Sequence, residues 1–94
     1  MIVNNIMFKL KDNTPENVVA LQDKLLGMRG NVEQLKDIRV EANIRTGFDL
    51  LMTTKYEDMQ AFEAYIVHPF HVKVAEYVQA VCGQFASVCY EEKA

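Results

Sequence analysis

The sequence predicts an α+β sandwich in which a four-stranded antiparallel sheet carries helices on one face. Segments of alternating polarity and segments of helical periodicity follow one another in the order β-α-β-β-α-α-β. The chain has 94 residues, which is enough for one domain, predicted over residues 1–94. Two of the predicted strands are apolar on both sides, so we expect the sheet face without helices to be buried as well.

The first strand is predicted over residues 2–11, where the side chains at even positions, including Ile6 and Phe8, share one face. Residues 12–16 turn the chain and begin a helix, with Pro15 at its first position. Gly30 is the predicted stop of this helix. Its apolar face has helical spacing and consists of Val18, Leu21, Leu25 and Met28.

The rest of the chain predicts three strands and two helices. The strands are expected over residues 37–44, 48–56 and 85–90, with a short reversal at 45–47 between the first two. The helices are expected at about 57–67 and at 69–82, and Gly83 is the predicted end of the second one. Residues 91–94 are expected to form a solvated tail. This order describes a ferredoxin-like sandwich.

The open face of this sheet predicts a homodimer. Apolar side chains occupy both faces of the first strand near Met7 and of the third strand near Leu51. The simplest cover for such a face is the same face of a second copy. We therefore expect a homodimer whose interface includes this face and the last strand, over residues 85–90.

Composition excludes several classes of partner. The net charge is −3 and the ten Lys and Arg residues are scattered, which argues against nucleic acid and against an anionic membrane surface. No signal-peptide pattern is present, and no apolar stretch approaches the roughly 20 residues that span a bilayer.

The cysteines, Cys82 and Cys89, are too few for a disulfide framework and are expected to be small buried apolar residues. These features predict a cytoplasmic protein.

The most informative segment is His68-Pro69-Phe70-His71. Pro69 disfavours a helical residue before it, so His68 is predicted to cap a helix that Pro69 opens. His71 then lies in the first turn, where the helix field favours a neutral imidazole that can accept a proton. Two interpretations stay open for His71: a base or ligand contact, and a helix-start histidine bonded to a backbone carbonyl.

Further residues complete the predicted site. Tyr65 is expected to bury its ring and to direct its hydroxyl to a polar partner, for which His71 is one candidate. Asn4 shares a strand face with Ile6 and Phe8, so its amide either bonds locally or marks a polar spot in a pocket. We expect His71 and Tyr65 to face a cavity bounded by that strand, with His68 also contacting a ligand. No metal-ligand spacing or cofactor motif occurs, so neither a metal nor a cofactor is expected.

Residues 1–12 and 62–78, most specifically the segment from Ala64 to Val72, resemble the stress-responsive A/B barrel (Dabb) domain family. The resemblance covers essentially the whole chain. It implies a ferredoxin-like subunit that dimerises sheet to sheet into an α+β barrel, and it implies no single reaction. In the olivetolic acid cyclase branch, the resemblance assigns the base of an aldol condensation to His71 and a supporting role to Tyr65. Asn4 stands where that branch has a further histidine.

Several functions therefore remain open. One is a barrel that binds a small apolar carbonyl compound, and a related one is a cofactor-free acid/base enzyme that uses His71, as in the cyclase branch. Another is a non-catalytic dimeric module with a solid core that acts through assembly or stress protection. A cofactor-free monooxygenase shares the dimeric barrel, but no motif of that group is apparent. The presence of a cavity would distinguish the binding functions from the solid module.

Overall fold

The computed structural model describes residues 1–93, and these residues form a four-stranded antiparallel sheet with three helices against one face. This is the ferredoxin-like α+β fold predicted from the sequence. The strand order is β2-β3-β1-β4, and Ala94, the last residue of the predicted domain and tail, lies outside the described residues. The elements are β1 (Ile2–Leu10), α1 (Pro15–Leu26), β2 (Asp37–Ala42), β3 (Leu50–Tyr56), α2 (Met59–Ile66), α3 (Pro69–Val81) and β4 (Cys82–Glu91).

Each helix begins at a side chain that accepts a hydrogen bond from a backbone N–H of its first turn. Thr14 caps α1 and Asp58 caps α2, where its carboxylate accepts from Ala61 N–H at 2.8 Å. His68 caps α3, as predicted, and Pro69 is the first helical residue. These caps satisfy donors that have no partner within the helix.

Several predicted boundaries are wrong. Strand β3 begins at Leu50 instead of residue 48, and β4 covers Cys82–Glu91 instead of residues 85–90. The second strand ends at Ala42 instead of residue 44, because the Asn43 side chain accepts from Arg45 N–H and donates to the Phe48 carbonyl, which folds the segment into a loop. Helix α1 ends at Leu26, four residues before Gly30. Gly83 does not end α3, because the backbone becomes extended one residue earlier, at Cys82, and Gly83 lies within β4.

The core lies between the helices and the helix-facing side of the sheet. Strand β1 contributes its even-numbered side chains, as the alternation predicted, and Phe8 and Leu10 are buried there. Helices α1 and α3 contribute the apolar faces that the periodicity predicted, through the buried residues Leu21, Leu25, Val74 and Val78, whereas the buried residue of α2 is Tyr65.

The opposite face of the sheet has no helix over it. Met7 pairs with Leu51 on β3 and with Ala86 on β4, so these three side chains form a continuous apolar row across the sheet. Met7 is 39% exposed and Leu51 is 38% exposed. Val88 and Tyr90 of β4 extend this row into an apolar patch, which we call the open face. None of the helices in residues 1–93 has the length and apolarity to cross a membrane.

Candidate functional site

His71 is held between two helices by a hydrogen bond to the backbone. It is the third residue of α3, and its Nδ1 lies 3.0 Å from the carbonyl oxygen of Ile66 at the end of α2. A carbonyl oxygen only accepts, so Nδ1 carries the proton and Nε2 of the neutral ring carries a free lone pair. The helix-start interpretation of this histidine is thus confirmed, and the bond also leaves Nε2 able to act as a base.

The surroundings of His71 favour its neutral form. Burial of the ring lowers the pKa of His71 below its usual value of 6.5, and positive charge on His68 lowers it further, while the bond to the Ile66 carbonyl opposes the shift. The sequence predicted a neutral imidazole from the helix field alone, whereas burial is the main cause here.

Tyr65 packs its ring against His71 but does not bond to it. The two ring centroids lie 4.3 Å apart, and Tyr65 is only 2% exposed. Its hydroxyl donates to the sulfur of Met28 at 3.8 Å, which is a weak acceptor. The predicted hydroxyl contact with His71 is therefore wrong. Burial raises the pKa of Tyr65, so the phenol remains protonated well into alkaline solution.

His71 and Tyr65 border a cavity of about 260 Å³ between the sheet and the helices. Ile6 and Phe8 line it, as the sequence predicted. Among the residues that line it, none carries a formal charge when His71 is neutral. The other lining residues are Leu25, Met28, Met52, Val74, Ala75, Val78, Gln79, Phe85 and Ser87. Such a cavity suits an uncharged, largely apolar ligand.

Two predicted ligand contacts lie outside this cavity. Asn4 is 7% exposed and pairs across the sheet with Thr54, whose hydroxyl donates to the backbone carbonyl of Asn4 at 3.4 Å. His68 is occupied as a cap, because its Nδ1 accepts from Phe70 N–H at 3.1 Å. Its Nε2 lies 3.8 Å from a carboxylate oxygen of Glu33. Neither residue lines the cavity, so the ligand contacts that we expected of Asn4 and His68 are wrong.

Sequence reasoning missed two polar residues that line the cavity, Gln79 and Ser87. Gln79 follows His71 by eight residues, a spacing that returns to the same face of a helix. Ser87 alternates with Val88 in the last strand and pairs with Ile6, so it had to share the face of Ile6. Both signals were present in the sequence. Within residues 1–93, no group of three His, Cys, Asp or Glu residues is arranged to hold a metal ion.

Comparison with known proteins identifies the family. The model of the "Stress Responsive A/B Barrel Domain" matches residues 2–91. The chain belongs to this family. No curated protein matches the sequence.

Solved structures with the fold of this A/B barrel domain are distant in sequence. A dimeric ferredoxin-like protein of unknown function from Bacteroides fragilis has a TM-score of 0.80 at 19% identity, with 97% of this chain and 95% of that chain covered. A dimeric ferredoxin-like protein of unknown function from Thermobifida fusca has a TM-score of 0.83 at 19% identity, with 95% and 88% covered. The hydroxynitrile lyase of Passiflora edulis has a TM-score of 0.80 at 13% identity, with 95% and 91% covered.

Proposed function

We propose that this A/B barrel domain protein is a cytoplasmic homodimer that binds a small, uncharged, mostly apolar molecule in the cavity beside His71. The ligand carries a carbonyl group and a proton donor, such as a hydroxyl. The observation that supports this proposal is the lone pair on Nε2 of His71, at the border of a cavity that has no charged group. In an apolar environment, a hydrogen bond to that lone pair is worth more than it is in water.

The open face supports the homodimer. Its apolar row of Met7, Leu51 and Ala86 would remain in water in a monomer, and the dimeric ferredoxin-like neighbours have the same fold. Strand β4 adds a free edge ten residues long, which proteins usually cover to prevent aggregation. The cavity lies on the helix side of the sheet, so a partner on the open face leaves it accessible.

The binding proposal is tested with 4-(4-hydroxyphenyl)-2-butanone, an uncharged phenol that also carries a ketone. We expect it to shift the NMR signals of the His71 ring and to saturate, and His71→Ala is expected to weaken binding by about tenfold, the loss of one good hydrogen bond. The control is His68→Ser, which alters the other histidine, keeps a capping side chain and is expected to bind like the natural protein. Equal binding by His71→Ala and the natural protein would contradict the proposal.

A cofactor-free acid/base enzyme, similar to the cyclase branch, is a second candidate that the same lone pair favours. Nε2 would accept a proton from an acidic C–H next to a carbonyl, and the electron pair of that bond would move onto the carbonyl oxygen. Exchange of those hydrogens for deuterium in D₂O measures this step directly. Exchange that requires His71 and accelerates as His71 loses its proton would support the enzyme. Binding without exchange supports a binding protein, and absence of binding supports the non-catalytic module.

A further inference from the structure

The cavity has polar groups at both ends and apolar walls between them. Its polar side chains are Tyr65, His71, Gln79 and Ser87, and the wall between the ends includes Val74 and Phe85. The Tyr65 hydroxyl already contacts Met28. In residues 1–93, the side chains of Gln79 and Ser87 make no hydrogen bond to the protein, and both residues are exposed. Their polar atoms are therefore free to meet a ligand in the cavity.

The junction between α3 and β4 is a reference point from which the positions of these polar groups along the cavity can be compared. Helix α3 ends at Val81 and β4 begins at Cys82, so no loop separates them, and residues of both elements line the same cavity. His71 lies about 15 Å from this junction at 1.5 Å per helical residue. Ser87 lies about 17 Å from it at about 3.3 Å per strand residue. The two lengths are similar and both residues line the cavity, so we assign Ser87 and His71 to the same end of it.

Gln79 lies at the other end of the cavity. It is two residues from the end of α3, about 3 Å from the junction and about 12 Å along the helix from His71. Phe85 lies between the two levels and packs edge-to-face on Phe8, with ring centroids 5.9 Å apart. The cavity therefore has a His71–Ser87 end, an aromatic and aliphatic middle, and a Gln79 end.

We infer that Gln79 and Ser87 determine which ligand this cavity accepts, by binding the two ends of one elongated molecule. A hydroxyl of the ligand donates to Nε2 of His71 and accepts from the Ser87 hydroxyl. A carbonyl at the opposite end of the ligand accepts from the amide N–H of Gln79. The ligand class is an uncharged compound with an apolar body, a hydroxyl at one end and a carbonyl at the other. This inference rests on the proposed binding function.

Three probe molecules test the two ends separately. The first is 4-(4-hydroxyphenyl)-2-butanone, the second is 4-butylphenol, which lacks the carbonyl oxygen, and the third is 4-phenyl-2-butanone, which lacks the hydroxyl. Their dissociation constants are measured by NMR titration or calorimetry on the natural protein, Gln79→Leu and Ser87→Ala. Gln60→Leu is the matched control, because Gln60 is an exposed residue of α2 that does not line the cavity.

Gln79→Leu is expected to reduce the affinity ratio between the first probe and 4-butylphenol by about threefold to tenfold, the range of one hydrogen bond. Gln60→Leu leaves this ratio unchanged. Ser87→Ala weakens both phenols by a similar factor and spares 4-phenyl-2-butanone, and Ser87→Thr, which keeps the hydroxyl, restores binding of the phenols. Circular dichroism confirms that each variant is folded.

The failures of the two proposals are distinguishable. If the phenols bind through His71 but Gln79→Leu leaves the affinity ratio between the first probe and 4-butylphenol unchanged and Ser87→Ala leaves the affinities of both phenols unchanged, the two-ended ligand is wrong and the binding function stands. If Ser87→Ala weakens only the ketones, the orientation is reversed and the inference is overturned. If none of the three probes binds, the proposed function and this inference are both contradicted.

Discussion

The imidazole of His71 lies against the phenol ring of Tyr65, with the ring centroids 4.3 Å apart and the ring planes at 43°. The ring of His71 is therefore positioned by this packing and by the carbonyl of Ile66, and not by the Tyr65 hydroxyl. Both constraints come from α2 and its last turn. The short connection at His68 and Pro69 thus determines which nitrogen of His71 is protonated and which is free.

The lowered pKa of His71 predicts a pH-dependent stability. Well above pH 6.5 the ring is neutral in the folded and unfolded chains, so His71 does not change the free energy of unfolding with pH there. As the pH falls below 6.5, the unfolded chain binds the proton first, so the free energy of unfolding decreases until the lower folded pKa is passed. Urea unfolding at pH 7, 6 and 5 measures this decrease.

The control for this pH dependence is His71→Gln, which keeps a donor for the Ile66 carbonyl but does not titrate. We expect the variant to gain stability relative to the natural protein as the pH falls from 7 to 5. All other groups titrate in both proteins, so the difference between them reports on His71 alone. A difference that stays constant with pH would show that burial does not disfavour the charged ring.

The cap at His68 is predicted to stabilise the start of α3. His68→Ala removes the acceptor for Phe70 N–H and is expected to lower the free energy of unfolding by about 1 kcal/mol. His68→Ser and His68→Asn supply another capping oxygen and are expected to recover most of this loss. Urea or thermal unfolding at pH 7 checks the series, and equal losses in all three variants would contradict a capping role.

The order of the elements was predictable from the sequence because each helix and strand buries one face. The alternation around Ile6 and Phe8 correctly placed both residues on the helix-facing side of β1, where they line the cavity. The same alternation placed Asn4 on that face but could not show how far the cavity extends along the strand. That extent depends on where α2 and α3 cross the sheet, which is a tertiary property.

The partner of the Tyr65 hydroxyl was not predictable, because the sulfur of Met28 comes from α1, far away in the chain. The same limitation applies to the early end of β2. Asn43 folds the following loop through its side chain, so Ile44 is 97% exposed although it continues the apolar alternation of the strand. Local patterns predict periodicity well but do not reveal such side-chain contacts.

The ring of Tyr65 is predicted to stabilise the fold far more than its hydroxyl does. The ring packs among Tyr56, Phe62 and His71, with centroid distances of 4.9, 6.2 and 4.3 Å. Tyr65→Ala is therefore expected to lower the free energy of unfolding by about 3–5 kcal/mol. Tyr65→Phe removes a weak bond to sulfur and a contact with the Tyr56 hydroxyl, and it is expected to cost only about 1 kcal/mol. Similar losses in the two variants would mean that the hydroxyl has a stronger partner.

The open face predicts that one charge at its centre separates the dimer. Met7→Asp and Leu51→Asp each place a carboxylate in the apolar row that two sheets would share. Burying an unpaired carboxylate costs several kcal/mol, which is a large part of the free energy of association. Sedimentation equilibrium at micromolar concentration is expected to show a dimer for the natural protein and monomers for both variants.

The control for the dimer is Val19→Asp. Val19 is an apolar residue of α1 that is 54% exposed on the helix side, so its substitution adds the same charge away from the open face. We expect this variant to remain a dimer. Circular dichroism separates loss of association from loss of folding, and Leu51→Lys provides a second charge of opposite sign at the same face. A natural protein that sediments as a monomer, or dimers that persist in all of the open-face variants, would contradict the sheet-to-sheet homodimer.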